Sequence, residues 1–158
     1  GRIAAGTQTD AVTAHMDWLP TFATLTGGKT PADRKIDGMD ISALLLGETG
    51  AAGHDVFSYY RGFNLEAIRS GPWKLHFAKT ELYNLESDIG ETKNVAKDHP
   101  DIVARLQKHA DAMRADLGDK NANAPGVRPL GRVENPQPLI DLEGNVRAGF
   151  DGFAKKLP

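Results

Sequence analysis

His76 is a residue whose side chain could take part in acid–base chemistry or bind an anion. It lies in the segment Trp73-Lys74-Leu75-His76-Phe77, where apolar and polar residues alternate. This alternation is typical of a strand with one buried face, so Lys74 and His76 are predicted to project from the same opposite face. A histidine there could donate a hydrogen bond to an anionic group or a leaving group. The alternative is a half-exposed strand histidine at an interdomain contact, with Lys74 in a structural ion pair.

The other residues with metal-binding chemistry do not have the spacing of a metal site. Three acids lie near Gly38 in the segment Asp33–Asp40. An EF-hand loop needs acids at alternate positions before its glycine and a glutamate further on, which this segment lacks. His54, His99 and His109 also have a spacing that fits no metal site. The sequence contains no cysteine, which excludes thiolate zinc sites, disulfides and a cysteine nucleophile. We therefore predict no metal site in this chain.

The composition excludes two classes of partner. The chain has 158 residues, 40% of them hydrophobic and 25% charged, as in one ordinary globular domain. Its formal net charge of −2, without a long basic run, argues against binding to nucleic acid or to an anionic membrane surface. No stretch is apolar over the roughly 18 residues that a membrane span needs. The first residue is Gly1 rather than Met, which favours a piece of a larger protein.

An antiparallel sheet is predicted to carry His76. The predicted strands are 56–60, 63–69, 73–78 and 81–85, and Ser70-Gly71-Pro72 suits a hairpin turn. Residues 100–117 have apolar side chains at helical spacing, with Pro100 in the first turn and Gly118 as the stop. This pattern predicts an α+β fold: about four antiparallel strands with a long C-terminal helix packed on one face.

Short helices are predicted before the sheet. Asp17 is the expected N-cap of a helix that ends at about Leu25, and Asp40 is the expected N-cap of a helix at 41–46. Four apolar side chains of the first helix share a face that is predicted to pack into the core. They are Trp18, Leu19, Phe22 and Leu25.

The predicted organisation has three parts: residues 1–53 with the short helices, 54–118 with the sheet and long helix, and the irregular tail 119–158. The tail is rich in Asn, Pro and Gly. Within it, Leu139–Leu142 is the one candidate strand, and Phe150 and Phe153 are expected to anchor the tail.

Four blocks of the sequence carry a family resemblance. They are His15–Thr21, Ile36–Gly47, Arg69–Leu75 and Leu82–Asn94. In this order they resemble the sulfatase motifs S-x-x-D-L-x-P-T, I-D-G-x-D-L-x-P-L-L-x-G, R-x-G-x-W-K-L and L-Y-D-L-x-x-D-P-x-E-x-x-N-L. The sequence departs from the last motif at Asn84, where Asp is usual, and at Ile89, where Pro is usual. The chain thus resembles, over residues 1–117, the C-terminal portion of a type I, arylsulfatase-like, formylglycine-dependent sulfatase of the alkaline phosphatase superfamily.

The resemblance implies a division of labour with a larger enzyme. Sulfatases make their formylglycine nucleophile from a C/S-x-P-x-R motif and hold calcium or another divalent cation. This sequence contains no such motif, so we expect no catalytic residue in this chain and no activity from the chain alone. The implied partners are the N-terminal catalytic domain of the parent enzyme and a sulfate-ester substrate.

Within the resemblance, His76 is similar to a histidine that some arylsulfatases carry near the mouth of the substrate pocket. Lys74, on the same predicted face, is a further candidate for the substrate rim. Tyr60 and Arg61, which end a predicted strand at a loop, are also candidates, and ordinary packing is their alternative role.

Two alternatives remain open at the level of sequence. This region discriminates poorly between a sulfatase and a phosphonate or phosphate monoester hydrolase of the same superfamily. The chain could also be a free-standing, non-catalytic interaction module with this fold. A portion of an enzyme should expose a contiguous apolar patch where the catalytic domain packs, whereas a free-standing module should not.

Overall fold

The computed structural model describes residues 2–129 together with residues 134, 135, 137, 138, 140, 145 and 146. Its internal contacts divide the chain into two units, Gly1–Val127 and Arg128–Pro158. In the second unit, Ile140 and Val146 form an isolated antiparallel bridge. The rest of the strand predicted at 139–142, and both Phe150 and Phe153, lie outside the described residues.

The first unit contains a four-stranded antiparallel sheet in which consecutive strands are neighbours. The strands are β1 (Val56–Arg61), β2 (Asn64–Ser70), β3 (Trp73–His76) and β4 (Glu81–Asn84). The four predicted strands are confirmed. However, β3 ends two residues earlier than predicted because residues 77–80 form the turn that leads into β4.

A long helix, α3 (Pro100–Leu117), covers one face of the sheet, as predicted. It begins at Pro100, and it is followed by Gly118 with a φ of 77°. The core between sheet and helix consists of Leu65, Ile68, Leu75, Leu82, Leu106 and Ala110. The α+β fold with a long C-terminal helix is therefore confirmed. Because neighbouring residues of a strand point to opposite faces, the neighbours of Leu75 lie on the face away from α3.

Two short helices precede the sheet: α1 (Trp18–Leu25), entered through a 3₁₀ turn at His15–Asp17, and α2 (Ser42–Leu45). The predicted packing of the apolar face of α1 into the core is wrong. Its side chains are 39–56% exposed, and they are Trp18, Leu19, Phe22 and Leu25. The helix buries Pro20 and Thr21 instead, and the Thr21 hydroxyl accepts a hydrogen bond from the Ile41 N–H at 3.0 Å.

Neither predicted cap forms as expected. Asp40 accepts a hydrogen bond from the Ser42 N–H at 2.8 Å, but it is not the N-cap of α2, because the helix begins at Ser42, one residue later than predicted, and Ile41 takes the N-cap position. Asp17 occupies the N-cap position of α1, but its carboxylate makes no capping bond to that helix. It is engaged by other segments of the chain. None of the helices in the described residues is long and apolar enough to cross a membrane.

Candidate functional site

β3 places Lys74 and His76 on the face of the sheet opposite α3. Leu75, between them, is buried in the core and 1% exposed. The side chains of Lys74 and His76 are 16% and 32% exposed, respectively. Both basic groups therefore reach the surface while their stems are held by the sheet.

Glu91, in the loop between β4 and α3, binds both basic groups with one carboxylate. Its Oε1 lies 2.6 Å from Nζ of Lys74, and its Oε2 lies 2.7 Å from Nε2 of His76. We call these three residues the Lys74–His76–Glu91 cluster. Sequence reasoning predicts no site role for Glu91. The signal that could have identified it is its match to the glutamate of the motif L-Y-D-L-x-x-D-P-x-E-x-x-N-L in the block Leu82–Asn94.

The position of Glu91 is fixed by Asp88. The Asp88 carboxylate accepts hydrogen bonds from the Thr92 and Lys93 N–H groups, both at 2.8 Å, and its carbonyl accepts one from the Glu91 N–H at 3.1 Å. These N–H groups hold the pKa of Asp88 below its usual range. Glu91 itself has a φ of 53°, a left-handed backbone conformation that residues other than glycine rarely adopt. The loop thus maintains a strained backbone that aims Glu91 at β3.

Two aromatic rings flank the cluster. Nζ of Lys74 lies 4.6 Å from the centre of the Tyr59 ring, within the range of a cation–π contact. The His76 and Tyr83 rings meet edge to face, with centroids 5.7 Å apart. Burial raises the pKa of Glu91, but the hydrogen bonds and charges of Lys74 and His76 outweigh burial and leave this pKa below its usual range. The basic groups of the cluster thus lie beside aromatic rings, and both contact the Glu91 carboxylate.

The structure does not bring Tyr60 or Arg61 to this cluster. The Tyr60 side chain packs against the core on the α3 side of the sheet, and its hydroxyl donates to the Gly118 carbonyl at 3.0 Å. Arg61 pairs with Glu66 at 2.6 Å, and its side chain is 82% exposed. The register of β1 with β2 shifts between Tyr59 and Tyr60. Tyr60 lies on the α3 side of the sheet, and Tyr59 is the tyrosine beside Lys74.

A second polar cluster joins three segments of the first unit. The Asp17 carboxylate is 0% exposed and accepts hydrogen bonds from the Ala14 N–H at 2.7 Å and the Met39 N–H at 2.9 Å. Nε2 of His54 lies 2.8 Å from its Oδ1. Burial raises the pKa of Asp17, but these backbone N–H groups and His54 together lower it by more. This pKa therefore lies below its usual range. The cluster therefore connects these three segments through one buried carboxylate.

Neither cluster is a metal site. Within residues 2–129 and the few described residues beyond them, no group of three or more His, Cys, Asp and Glu side chains could hold a metal ion. The described residues thus do not form the ligand set of the divalent cation that the resemblance implies.

A comparison of sequences finds that this chain is similar to sulfatases. Human steryl-sulfatase (Homo sapiens) is 38% identical over 81 residues, which is 48% of this chain and 14% of that protein. Arylsulfatase G of the dog (Canis lupus familiaris) is 26% identical over 157 residues, which is 96% of this chain and 28% of that protein. A scan against models of protein families finds no match.

The fold is also found in a solved sulfatase structure. The PsFucS1 sulfatase from Pseudoalteromonas sp. superimposes with a TM-score of 0.64 over 74% of this chain and 28% of that chain, at 20% identity. The chain therefore spans 14–28% of the length of the proteins described above, which leaves most of each outside the matched region.

Proposed function

This chain belongs to the sulfatase family of the alkaline phosphatase superfamily, as a C-terminal portion, and from this we propose that it borders the substrate pocket of a sulfuric ester hydrolase. In this role it supplies binding groups and structural support, and the N-terminal catalytic domain of the parent enzyme supplies the chemistry. The observation that carries the proposal is the Lys74–His76–Glu91 cluster, which places two half-buried basic groups on the face of the sheet opposite α3.

The exposed apolar face of α1 supports the same proposal. The Trp18 and Phe22 rings stack with centroids 5.3 Å apart, and Phe22 is 56% exposed. Beside them, Trp18 lines a groove of about 670 Å³ together with Ile3, Ile41 and Leu44. Apolar patches of this kind mark surfaces that are covered by a partner. We assign the N-terminal catalytic domain as that partner, since the relatives extend far beyond the length of this chain.

The cofactors of such an enzyme belong to that other domain in our proposal. A formylglycine would supply the nucleophile, and a divalent cation would neutralise the sulfate oxygens. The residues of this chain would bind and orient the ester from the rim of the pocket. We accordingly propose that the chain alone does not turn over a sulfate ester.

The proposed function predicts that His76→Ala impairs substrate binding in the longer protein. The hydrogen bond of a protonated histidine to an anion is worth about 1.5–3 kcal/mol, so at about pH 5, where an ordinary histidine is protonated, we expect KM for an aryl sulfate to rise about 10- to 100-fold. The measurement is steady-state hydrolysis of a chromogenic aryl sulfate and of a matched phosphonate monoester. His109→Ala, in α3, is the matched control and should leave KM unchanged. An unaltered KM in His76→Ala would contradict the rim role, and preference for the phosphonate would favour the other hydrolase class.

The docking of α1 is tested by Phe22→Ser. When this chain and the catalytic portion are expressed as separate polypeptides, we expect the substitution to weaken their association about 30-fold, the effect of losing an interface hot spot of about 2 kcal/mol. The control is Ile89→Ser, since Ile89 is an apolar side chain that is 81% exposed and lies in the loop after β4. A chain that dimerises by itself and becomes monomeric with Phe22→Ser would instead identify a second copy as the partner.

A further inference from the structure

The chemistry of the Lys74–His76–Glu91 cluster determines which nitrogen of His76 is left for another molecule. A neutral imidazole has one N–H and one lone pair, and the partner of one nitrogen sets the state of the other. Here the partner of Nε2 is Oε2 of Glu91, at 2.7 Å. Within the described residues, the ion pair of His76 involves Nε2, while the ring is 32% exposed.

Lys74 ensures that Glu91 acts as an acceptor. An ammonium group has three N–H donors and no acceptor, so Nζ of Lys74 at 2.6 Å requires a lone pair on Oε1. Its positive charge also favours the ionised form of Glu91. An ionised carboxylate can only accept, and therefore Nε2 of His76 must carry a proton to make the observed contact. The backbone of Glu91, held at a φ of 53° by the Asp88 turn, keeps this geometry in place.

We propose that Glu91 is a positioning residue that keeps the proton of neutral His76 on Nε2 and so leaves Nδ1 as the atom that meets the substrate. Resting on the proposed function, this deepens it: neutral His76 presents a lone pair to the substrate and repels an anionic oxygen. Only the imidazolium form, with a second proton on Nδ1, donates a hydrogen bond to a sulfate oxygen. The rim therefore binds an anionic ester most tightly in acid and loses affinity as His76 becomes neutral.

The charged and titratable groups on the same face of the sheet as His76 include Arg69 of β2 and Tyr59 of β1, together with groups of β3, β4 and the loop after β4. Lys74 lies on β3 itself, and Glu81, the register partner of His76, and Tyr83 lie on β4. Glu91 lies in the following loop and is the group in hydrogen-bond contact with the ring. Burial, then the charges of Glu81 and Glu91, raise the pKa of Tyr83, so this phenol stays neutral over the pH range of the proposed effect.

Glu91→Gln gives a sharp test because an amide has one acceptor and one donor group. Lys74 can only donate, so it takes the amide oxygen of the new side chain. The amide NH₂ group then faces Nε2 of His76, which must become an acceptor, and the proton of the neutral ring moves to Nδ1. We therefore expect the substitution to invert the tautomer of His76.

The measurement is a long-range ¹H–¹⁵N NMR correlation of the imidazole rings in the 158-residue chain at about pH 8.5, where an ordinary histidine is neutral. The wild-type chain should show His76 as the Nε2–H tautomer, and Glu91→Gln should show it as the Nδ1–H tautomer. Adding Lys74→Met to Glu91→Gln frees the amide oxygen and should restore Nε2–H. The ring of His109 is the internal control and should not change. An Nδ1–H tautomer in the wild-type chain would overturn the proposal, even if the variants do not fold.

A second readout connects the tautomer to binding. In the longer protein, KM for an aryl sulfate should rise at least tenfold as His76 becomes neutral, because a charge-assisted hydrogen bond is lost. In Glu91→Gln, where Nδ1 carries a proton in the neutral ring as well, this rise should flatten to less than threefold. A merely structural role of Glu91 would raise KM equally at every pH. If the tautomers are as expected but His76→Ala leaves KM unchanged, the rim function fails and the positioning role of Glu91 stands. If His76→Ala raises KM but the tautomers are not as expected, the positioning role fails and the rim function stands.

Discussion

Replacing Asp17 by Ala is expected to lower the free energy of unfolding of the first unit by about 3–5 kcal/mol, because three hydrogen-bonding groups lose a shared buried acceptor at a cost of about 1–3 kcal/mol each. Asp17 is 0% exposed, and its carboxylate satisfies the Ala14 and Met39 N–H groups as well as His54. Truncation leaves all three groups without their acceptor in a site closed to water. Three segments of the chain, before α1, before α2 and before β1, lose their common tie.

Asp17→Asn separates charge from shape. The amide keeps one oxygen for Met39 and His54 but turns its NH₂ group toward the Ala14 N–H, so two donors oppose each other. We expect a loss of about 1–3 kcal/mol. Equilibrium unfolding in urea measures both variants. Asp10→Ala, at an exposed acid of the same segment, is the control and should change stability by less than about 0.5 kcal/mol.

The pH dependence of this effect has a definite sign. The pKa of Asp17 lies below its usual range, so the carboxylate binds protons less readily in the folded chain than in the unfolded chain. Its stabilisation is fully present above the unfolded-state pKa of about 3.9 and is lost as pH falls through the lower folded-state value. The stability difference between the wild type and Asp17→Asn should therefore shrink between about pH 4 and pH 2. A difference that stays constant, or grows in acid, would contradict this account.

The sheet and its long helix could be predicted because local patterns and tertiary packing agree there. The alternation around Leu75 and the helical spacing around Leu106 both direct apolar side chains into one core. The apolar face of α1 shows the limit of such reasoning. Helical periodicity identifies a face that must be buried, but it does not say against what. In this chain, Trp18 and Phe22 are exposed, and the buried side of α1 is the one with Thr21.

The candidate site could be predicted only in part, for a related reason. The placement of Lys74 and His76 on one face follows from the two-residue period of a strand. The role of Glu91 depends on how the Asp88 turn returns the chain to β3, which is a long-range relation that no periodicity contains. The strand irregularity between Tyr59 and Tyr60 similarly decides which tyrosine lies beside Lys74.

Gly38→Ala is expected to destabilise the first unit by about 3 kcal/mol, the upper part of the range for forcing an extra methyl group into a packed site. A Cβ at position 38 would lie 2.0 Å from the Met16 carbonyl oxygen and 3.0 Å from the Asp17 nitrogen. Both obstacles are backbone atoms, which cannot turn aside as a side chain could. The chain before α2 would have to move away from α1, and this would break the hydrogen bond from the Met39 N–H to the Asp17 carboxylate. Gly38, in the block Ile36–Gly47, is thus required because its backbone closely approaches the block His15–Thr21.

The control for this prediction is Gly28→Ala. A Cβ at Gly28 would lie 3.5 Å from the nearest atom, the Ala23 carbonyl oxygen, which is an ordinary contact. We expect this variant to keep its stability or to gain about 0.4–1 kcal/mol, because alanine restricts the unfolded chain more than glycine does. The free energy of unfolding in urea compares the two variants directly. Equal effects at positions 28 and 38 would mean that the segments around Met16 and Gly38 do not pack as the structure has them. If Gly38→Ala alone lowers the free energy of unfolding, and adding Asp17→Asn to it lowers that free energy little further, both residues stabilise the same junction.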